Sequence, residues 1–589
     1  MESLRIANCS GFYGDRLSAL SEVLNDGPVQ VVTGDYLAEL TMLILHRSRV
    51  KDPTRGYATT FLRQLEGVLG TIADQGTQVV VNAGGLAPAA CADAVRALAD
   101  RLGIPVPVSH VEGDDLLPRV HELDLPHLDT GAALGSRTVS TANAYLGAWG
   151  IATALQAGAQ VVVTGRVTDA SLVVGPAAAH FAWERDDWDA LAGAVAAGHL
   201  LECGTQTTGG NYSFVREEVA QPLRMGFPIA ELAADGSSVI TKHPGTGGAV
   251  TIGTVTAQLL YEVAGPAYAG PDVVADFSSV RLEQQAPDRV RVSGTRGSPP
   301  SGQLKVALTM LGGYRTRMEF VLTGLDIQAK ADLALAGLRD ALPAEPDVFE
   351  HHLVRLDRAD APTNEQAAAL LRVTVKDSDP AKVGRAFSAA AVELALASYP
   401  GFTLTSQPGD ATPYGVYWPS LVPAREVEHV VVHPDGRREV VPHTPGGGHG
   451  PEGSAAERSR GPVLDRAGPG PRGATTDRPT QRVPLGRVVG ARSGDKGGNA
   501  NVGFWARTDE AAAWLLSWLD EAAFRLLLPE ADGLVVQVHP FANLRAVNVV
   551  VIGLLGEGVA AGTRFDPQAK GLGEYLRSRY VDVPTTLLA

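Results

Sequence analysis

The first part of the chain alternates short apolar runs with longer stretches of helical period. LRIANCS (4–10) precedes a helix-like stretch over 15–24, VQVVTG (29–34) precedes YLAELTMLILHRSR, and TQVVVNAGG (77–85) precedes AACADAVRALADRLG. VPVSHVEG follows, and AQVVVTG (159–165) leads into DASLVVGPAAAHFAW. β-rich runs bounded by glycine and alternating with helices predict βαβ units, hence an α/β fold with a mostly parallel sheet flanked by helices. From about residue 238 the texture changes. VTIGTVTAQLLYEV, RVRVSGTRG and QLKVALTMLGGYRTRMEFVL read as strands, and ADLALAGLRDAL and KVGRAFSAAAVELALASY as helices. REVEHVVVHPDGRREVVPH reads as a hairpin turned at Asp435-Gly436.

These patterns divide the chain into a large region over 1–443, with parallel α/β texture to about 237 and an α+β portion over 238–443. Residues 444–481 are rich in Gly, Pro, Arg and Ser with no sustained apolar period. Such a segment cannot bury enough surface to offset the entropy of ordering, so a flexible linker is expected. After it, 482–589 gives strand, glycine loop, strand, helix, strand, strand, helix, the order of a small ferredoxin-like α+β domain.

Composition narrows the class. The 589 residues exceed what one core usually supports, and 45% hydrophobic with 20% charged residues is a globular balance. The formal charge of −15 argues against nucleic acid, whose partners carry a basic face. Cys9, Cys91 and Cys203 fit neither a disulfide framework nor a zinc site. The opening MESLRIANCSGFYGD lacks a secretory pattern, and no apolar run approaches the roughly 20 residues of a membrane helix. A cytoplasmic protein away from membranes is expected.

In an open parallel sheet, ligands bind beyond the carboxyl ends of the strands. By that rule Ser10 and Asp15 follow the first strand, Asp35 and Glu39 the second, and Asn82, Gly84 and Gly85 the third. His110 and Glu112 follow the next, and Arg166 and Asp169 follow AQVVVTG. If these runs share one sheet, all five groups meet on one rim. Asp35 and Glu39, four apart, either pair on one helix face for acid–base work or a divalent cation, or serve as N-cap and solvated first-turn residue. Arg166 either clamps a carboxylate or phosphate or forms a structural pair with Asp169. LECGTQTTGGN (201–211) brings Glu202, Cys203 and Thr205 into a polar loop, where Cys203 is either a nucleophile or an inert thiol.

KHPGTGGAVT (242–251), with His243, Gly245, Thr246 and Gly247, is the most phosphate-like loop, either an anion nest or a plain turn. It lacks a Walker ending, and no dinucleotide fingerprint stands in the right place. ARSGDKGGNANVGFWA (491–506) sets Arg492, Asp495, Lys496 and Asn499 among glycines, to cover a ligand in the large region, to recognise an anion, or merely to shape a turn. His429 and His433 flank a strand, and no HExxH occurs, so an oxygen-ligand site of Asp35, Glu39 or Asp169 is the metal reading left open. No cofactor is assigned.

GFYGDR, TGDYLAELTM, VVNAGGLAP, TGRVTDASL, ECGTQTTGGNY and HPGTGGAVT, in this order over about 4–442, resemble the AtuA (acyclic terpene utilisation) family. GARSGDKGGNANVGFWAR, NLRAVNVVVIGLL and FDPQAKGLGEYLRSRYVDVP resemble the ferredoxin-fold domain often appended to it. The resemblance implies catabolism of acyclic terpenes and other branched acids as CoA thioesters, with CoA as substrate carrier. It carries over no catalytic residues. The leading expectation is an enzyme on a branched acyl-CoA or related acid, of hydratase, lyase or hydrolase type. Asp35, Glu39, Asp169 and Arg166 would be its chemical groups, and a homo-oligomer its assembly. The alternative is a non-catalytic assembly subunit for an acyl-CoA carboxylase pathway.

Overall fold

Valine-rich runs buried on both faces build the centre of the protein. A computed structural model describes residues 3–405, 407–447 and 479–588. The strands β1 (Leu4–Asn8), β2 (Val31–Gly34), β3 (Gln78–Val81), β4 (Val108–Glu112), β5 (Val139–Ala144), β6 (Val161–Thr164), β7 (Pro228–Leu232) and β8 (Ser238–Lys242) order its first part. Of these, β1, β2, β3, β6 and β4 lie side by side in that order, all parallel. Antiparallel strands extend the sheet to 11 among the described residues. β7, β8, Arg289–Ser293 and Arg281–Ala286 add beyond β1, and the hairpin Val430–Val432/Arg438–Val440 adds beyond β4. The sheet therefore takes strands from both sides of residue 237.

Alternate residues of each strand face opposite helix layers. Val79, Val81, Val161 and Val163 pack with Leu20, Phe61, Leu65 and Val95 of the helices on one side. The helices Trp149–Gln156, Ser171–Phe181 and Trp188–Leu201 pack against other strands of the sheet. After β3 the chain enters the helix Pro88–Leu102, which joins the first layer. After β6 it enters Ser171–Phe181 instead. Connections from two neighbouring strands that diverge in this way open a crevice at their carboxyl ends.

The described chain clusters into two units, one of residues 1–309, 417–559 and 566–589, the other of 310–416 and 560–565. The second unit is an antiparallel sheet in which Ala368–Asp377 pairs with 314–323 and with Val348–Val354. Met318, Phe320, Val373 and Val375 form its core with Leu338 of Ile327–Ala341 and Phe387 of Arg385–Glu393.

Within the first unit, Val489–Lys496, Asn499–Ala506, Ala546–Ile552 and Val535–Phe541 make a four-stranded antiparallel sheet in that order. Ala491, Val502 and Phe504 face its helices Asp509–Trp518, Glu521–Leu527 and Leu572–Ser578. The alternate residues face the large sheet's domain. Asn501 accepts from Glu262 N at 2.8 Å and Ser213 donates to Ala491 O at 2.8 Å. A Cβ on Gly494 would stand 2.5 Å from the Tyr261 ring, and one on Gly503 2.4 Å from Leu260 Cβ. Glycine is required here for close approach of the two surfaces. Of the linker expected over 444–481, residues 448–478 lie outside the described residues. Thr444 is buried and accepts from the Trp149 indole at 2.9 Å. Among the described residues no helix is long and apolar enough to cross a membrane.

Candidate functional site

The crevice between the ends of β3 and β6 brings together residues far apart in the chain. Asn82 leaves β3 and donates to Asp35 Oδ1 at 2.6 Å, while its own oxygen accepts from Tyr36 N at 2.7 Å. Residues 35–38 stay outside the helix, which begins at Glu39 with an extended Ala38 as N-cap. Asp35 is thus neither the cap nor on a helix face with Glu39, as the four-residue spacing had suggested. Arg166, past β6, ion-pairs with Asp169 at 2.9 Å and donates to Leu37 O at 3.1 Å. Gly84 permits this meeting, for a Cβ there would lie 2.5 Å from Thr164 O. Behind the guanidinium, Asp114 Oδ2 accepts from Arg166 N and from Asn143 Nδ2, each at 2.8 Å.

Lys305 completes this half of the cluster. Its ammonium lies 4.7 Å from the Tyr145 ring centre, and the Arg166 guanidinium carbon lies 4.1 Å from the same ring. Glu39 stands 3.6 Å from Lys305. Asp35 and Arg166 are buried, whereas Asp169, Glu39 and Lys305 keep 27%, 25% and 28% of their side-chain exposure, so the cluster opens along those three.

Burial and then the charge of Asp169 push the Asp35 carboxyl well above the ordinary range, against the pull of Arg166 and Asn82. Burial would raise Glu39 too, but Lys305 and Arg166 overcome it and hold this carboxyl down at about 2. Burial opposes the charge on Lys305, and Tyr145, Tyr417 and Glu39 more than restore it. One carboxyl is thus biased toward its neutral form and its neighbour toward the anion, the contrast that divides acid from base roles.

A second half lies between the loop after Trp188–Leu201 and the C-terminal domain. Lys570 stands 3.3 Å from Glu262 and 3.4 Å from Asp495, and it donates to the Tyr261 hydroxyl. Arg492 covers the Tyr261 ring at 4.4 Å, and Lys496 lies 5.9 Å from the Tyr268 ring. Burial and Glu262 push Asp495 up to about 6, against Lys570. Lys496 acts on Glu39, and Asp169 on Glu202, which joins the two halves electrostatically. Burial, Glu202 and Glu262 drive the Cys203 thiol well above its usual range, which leaves it no thiolate for nucleophilic attack.

Other predicted residues brace loops. Ser10 O accepts from Asp35 N at 2.9 Å, and Asp15 caps Gly11 N and Arg16 N. Gly85 turns the chain after β3 at φ +52. The Thr205 carbonyl receives Gly210 N at 2.9 Å. Asn499 accepts from Gly553 N, just past the neighbouring strand Ala546–Ile552, at 2.8 Å. In the 243–247 loop Thr246 Oγ1 donates to His243 O, Gly247 N donates to Arg224 O, and His243 Nε2 meets Val23 O. One of these bonds lies within the loop, and the other two tie it to the neighbouring segments at Arg224 and Val23. His110 pairs with Glu112 at 2.9 Å, which in turn holds Arg438. Among the described residues no group of three or more His, Cys, Asp or Glu is arranged to hold a metal ion.

Sequence reasoning missed Lys305, Tyr145, Glu262 and Lys570. Lys305 had one signal, a charge amid the apolar alternation of QLKVALTM.

The family model described as acyclic terpene utilisation family protein AtuA matches residues 4–433. The chain belongs to the AtuA family. A second model, the AtuA ferredoxin-like domain, matches 483–582, the four-stranded sheet and its helices. No curated protein and no solved structure matches the chain. In this AtuA-family chain both matched regions therefore contribute side chains to one polar cluster.

Proposed function

We propose that the cluster is the active site of an enzyme acting on branched carboxylic acids or their CoA thioesters, of hydratase, lyase or hydrolase type. One observation carries the reading: a buried carboxyl biased toward its protonated form, Asp35, lies beside Arg166, which shares the Tyr145 ring with a second cation, Lys305. Held cations suit a substrate carboxylate or thioester oxygen, where they act without reorganisation. A carboxyl of raised affinity for its proton suits proton transfer near neutrality. The family's description adds the substrate class, since acyclic terpenes have branched skeletons. A cytoplasmic homo-oligomer belongs to the same reading, and the three cysteines are free thiols.

Thermal unfolding of the full chain with a panel of branched acyl-CoAs and the corresponding acids tests it, because a ligand of the folded state raises Tm. At least one acyl compound is expected to raise Tm, and Lys305→Met to abolish the shift. Asp35→Asn is expected to keep the shift and lose turnover. A panel that never moves the wild-type Tm would end the proposal.

A further inference from the structure

The densest group of unanswered polar atoms adjoins this cluster. His199 is 1% exposed, Gln258 1% and Glu202 7%. His199 Nδ1 stands 3.0 Å from Glu202 Oε1, and its ring packs 5.2 Å from Tyr268 and 5.5 Å from Phe277. Gln258 uses its amide nitrogen on His199 O at 3.1 Å. Glu202 Oε2, Gln258 Oε1 and both ring nitrogens of His199 are buried without a hydrogen-bond partner among the described residues.

An orphaned buried polar atom costs about 1–3 kcal/mol, and folded proteins rarely leave one without water or ligand. Here the helix is otherwise LAGAVAAG, where apolar residues would pack at no such cost. Two of these four orphans, Glu202 Oε2 and Gln258 Oε1, are acceptors when the carboxyl is ionised, so they call for a donor. Asp169 and Glu262, whose charges act on Glu202, keep 27% and 31% of their side-chain exposure.

We propose that Glu202 is a proton-transfer residue of this site, that His199 positions it, and that the group it works on is a water molecule or a substrate hydroxyl. The inference rests on the acyl-processing reading and narrows it to addition and removal of water. In the adding direction the Glu202 carboxylate takes one proton from water as the water oxygen bonds to Cβ of a 2-enoyl thioester. The C=C pair moves into the enolate, Glu202 passes the same proton to Cα, and the carbonyl re-forms. Only water is consumed, and the reverse sequence eliminates it. Burial raises the proton affinity of Glu202, which suits a group that must return the proton.

The test uses the full chain with a set of straight and branched 2-enoyl-CoAs, including 3-methylbut-2-enoyl-CoA, in D2O. Loss of the enoyl absorbance reports hydration, deuterium at Cα reports proton delivery, and Tm reports binding. Wild type is expected to hydrate at least one of them. Glu202→Gln should lower kcat roughly 10²–10⁴-fold with little change in KM, and Glu202→Asp should recover part of the loss. His199→Gln should lower kcat less and displace the pH profile, which a merely structural residue would not do. Wild-type hydration matched by a folded Glu202→Gln overturns the assignment of Glu202 and leaves the site reading intact. Binding of the thioesters without hydration overturns the water chemistry alone. Absence of binding removes both readings.

Discussion

Asp114 ties the site to the interior, for its carboxylate fixes the backbone of Arg166 and the amide of Asn143. Burial outweighs those two donors and pushes its pKa up to about 7. An unfolded aspartate titrates near 3.9, so the folded state favours the proton. That contribution is fully present below about pH 4 and is lost as pH rises to about 7, worth on the order of 4 kcal/mol at the full shift. The stability of Asp114→Asn relative to wild type should accordingly rise between pH 4 and 7 and level off above, as read from urea midpoints. Arg166 is a different case, because its removal leaves Asp169 without its cation. Arg166→Met should cost about 3–5 kcal/mol in urea unfolding at neutral pH. Cys203 was the conspicuous residue of its loop in the sequence, yet burial beside two carboxylates silences it. Neighbouring Glu202, with its unanswered oxygen, has the stronger chemical case.

At the scale of elements, ARSGDKGGNANVGFWA is a β-hairpin turned at Gly497-Gly498, and its glycines obey the period of two. Gly494 and Gly503 stand on the face that meets Tyr261 and Leu260, with Arg492 and Asn501 on that same face. Gly503→Ala should destabilise the packing of this sheet on the large domain by roughly 1–3 kcal/mol, the usual cost of overpacking. Protease sensitivity at 25 °C should rise while the Val502/Phe504/Leu515 core of the domain keeps its circular dichroism. The parallel strands were legible because apolar runs between glycines carry a local signature. The start of the helix at Glu39 was not, since Asp35 and Tyr36 are withdrawn by Asn82, a partner 47 residues on from Asp35.

On the scale of the whole molecule, one cluster is assembled from residues between Asp35 and Lys570. Lys570 and Glu262 keep 40% and 31% of their side-chain exposure, so their direct coupling should be modest. A double-mutant cycle of Lys570→Met and Glu262→Gln should return about 0.5–1 kcal/mol at low salt, falling as ionic strength rises. Sequence alone determined the order of the parallel strands and the family, whereas VTIGTVTAQLLYEV, read as a strand, folds as the helix Ile252–Leu259, capped by Thr251. Period, turn chemistry and motif order are all written locally along the chain. Tertiary structure alone decided that Lys305 and Lys570 join the cluster and which carboxyls favour their proton. Those outcomes depend on which distant groups come within a few ångströms and how much water they displace, and no stretch of sequence records either quantity.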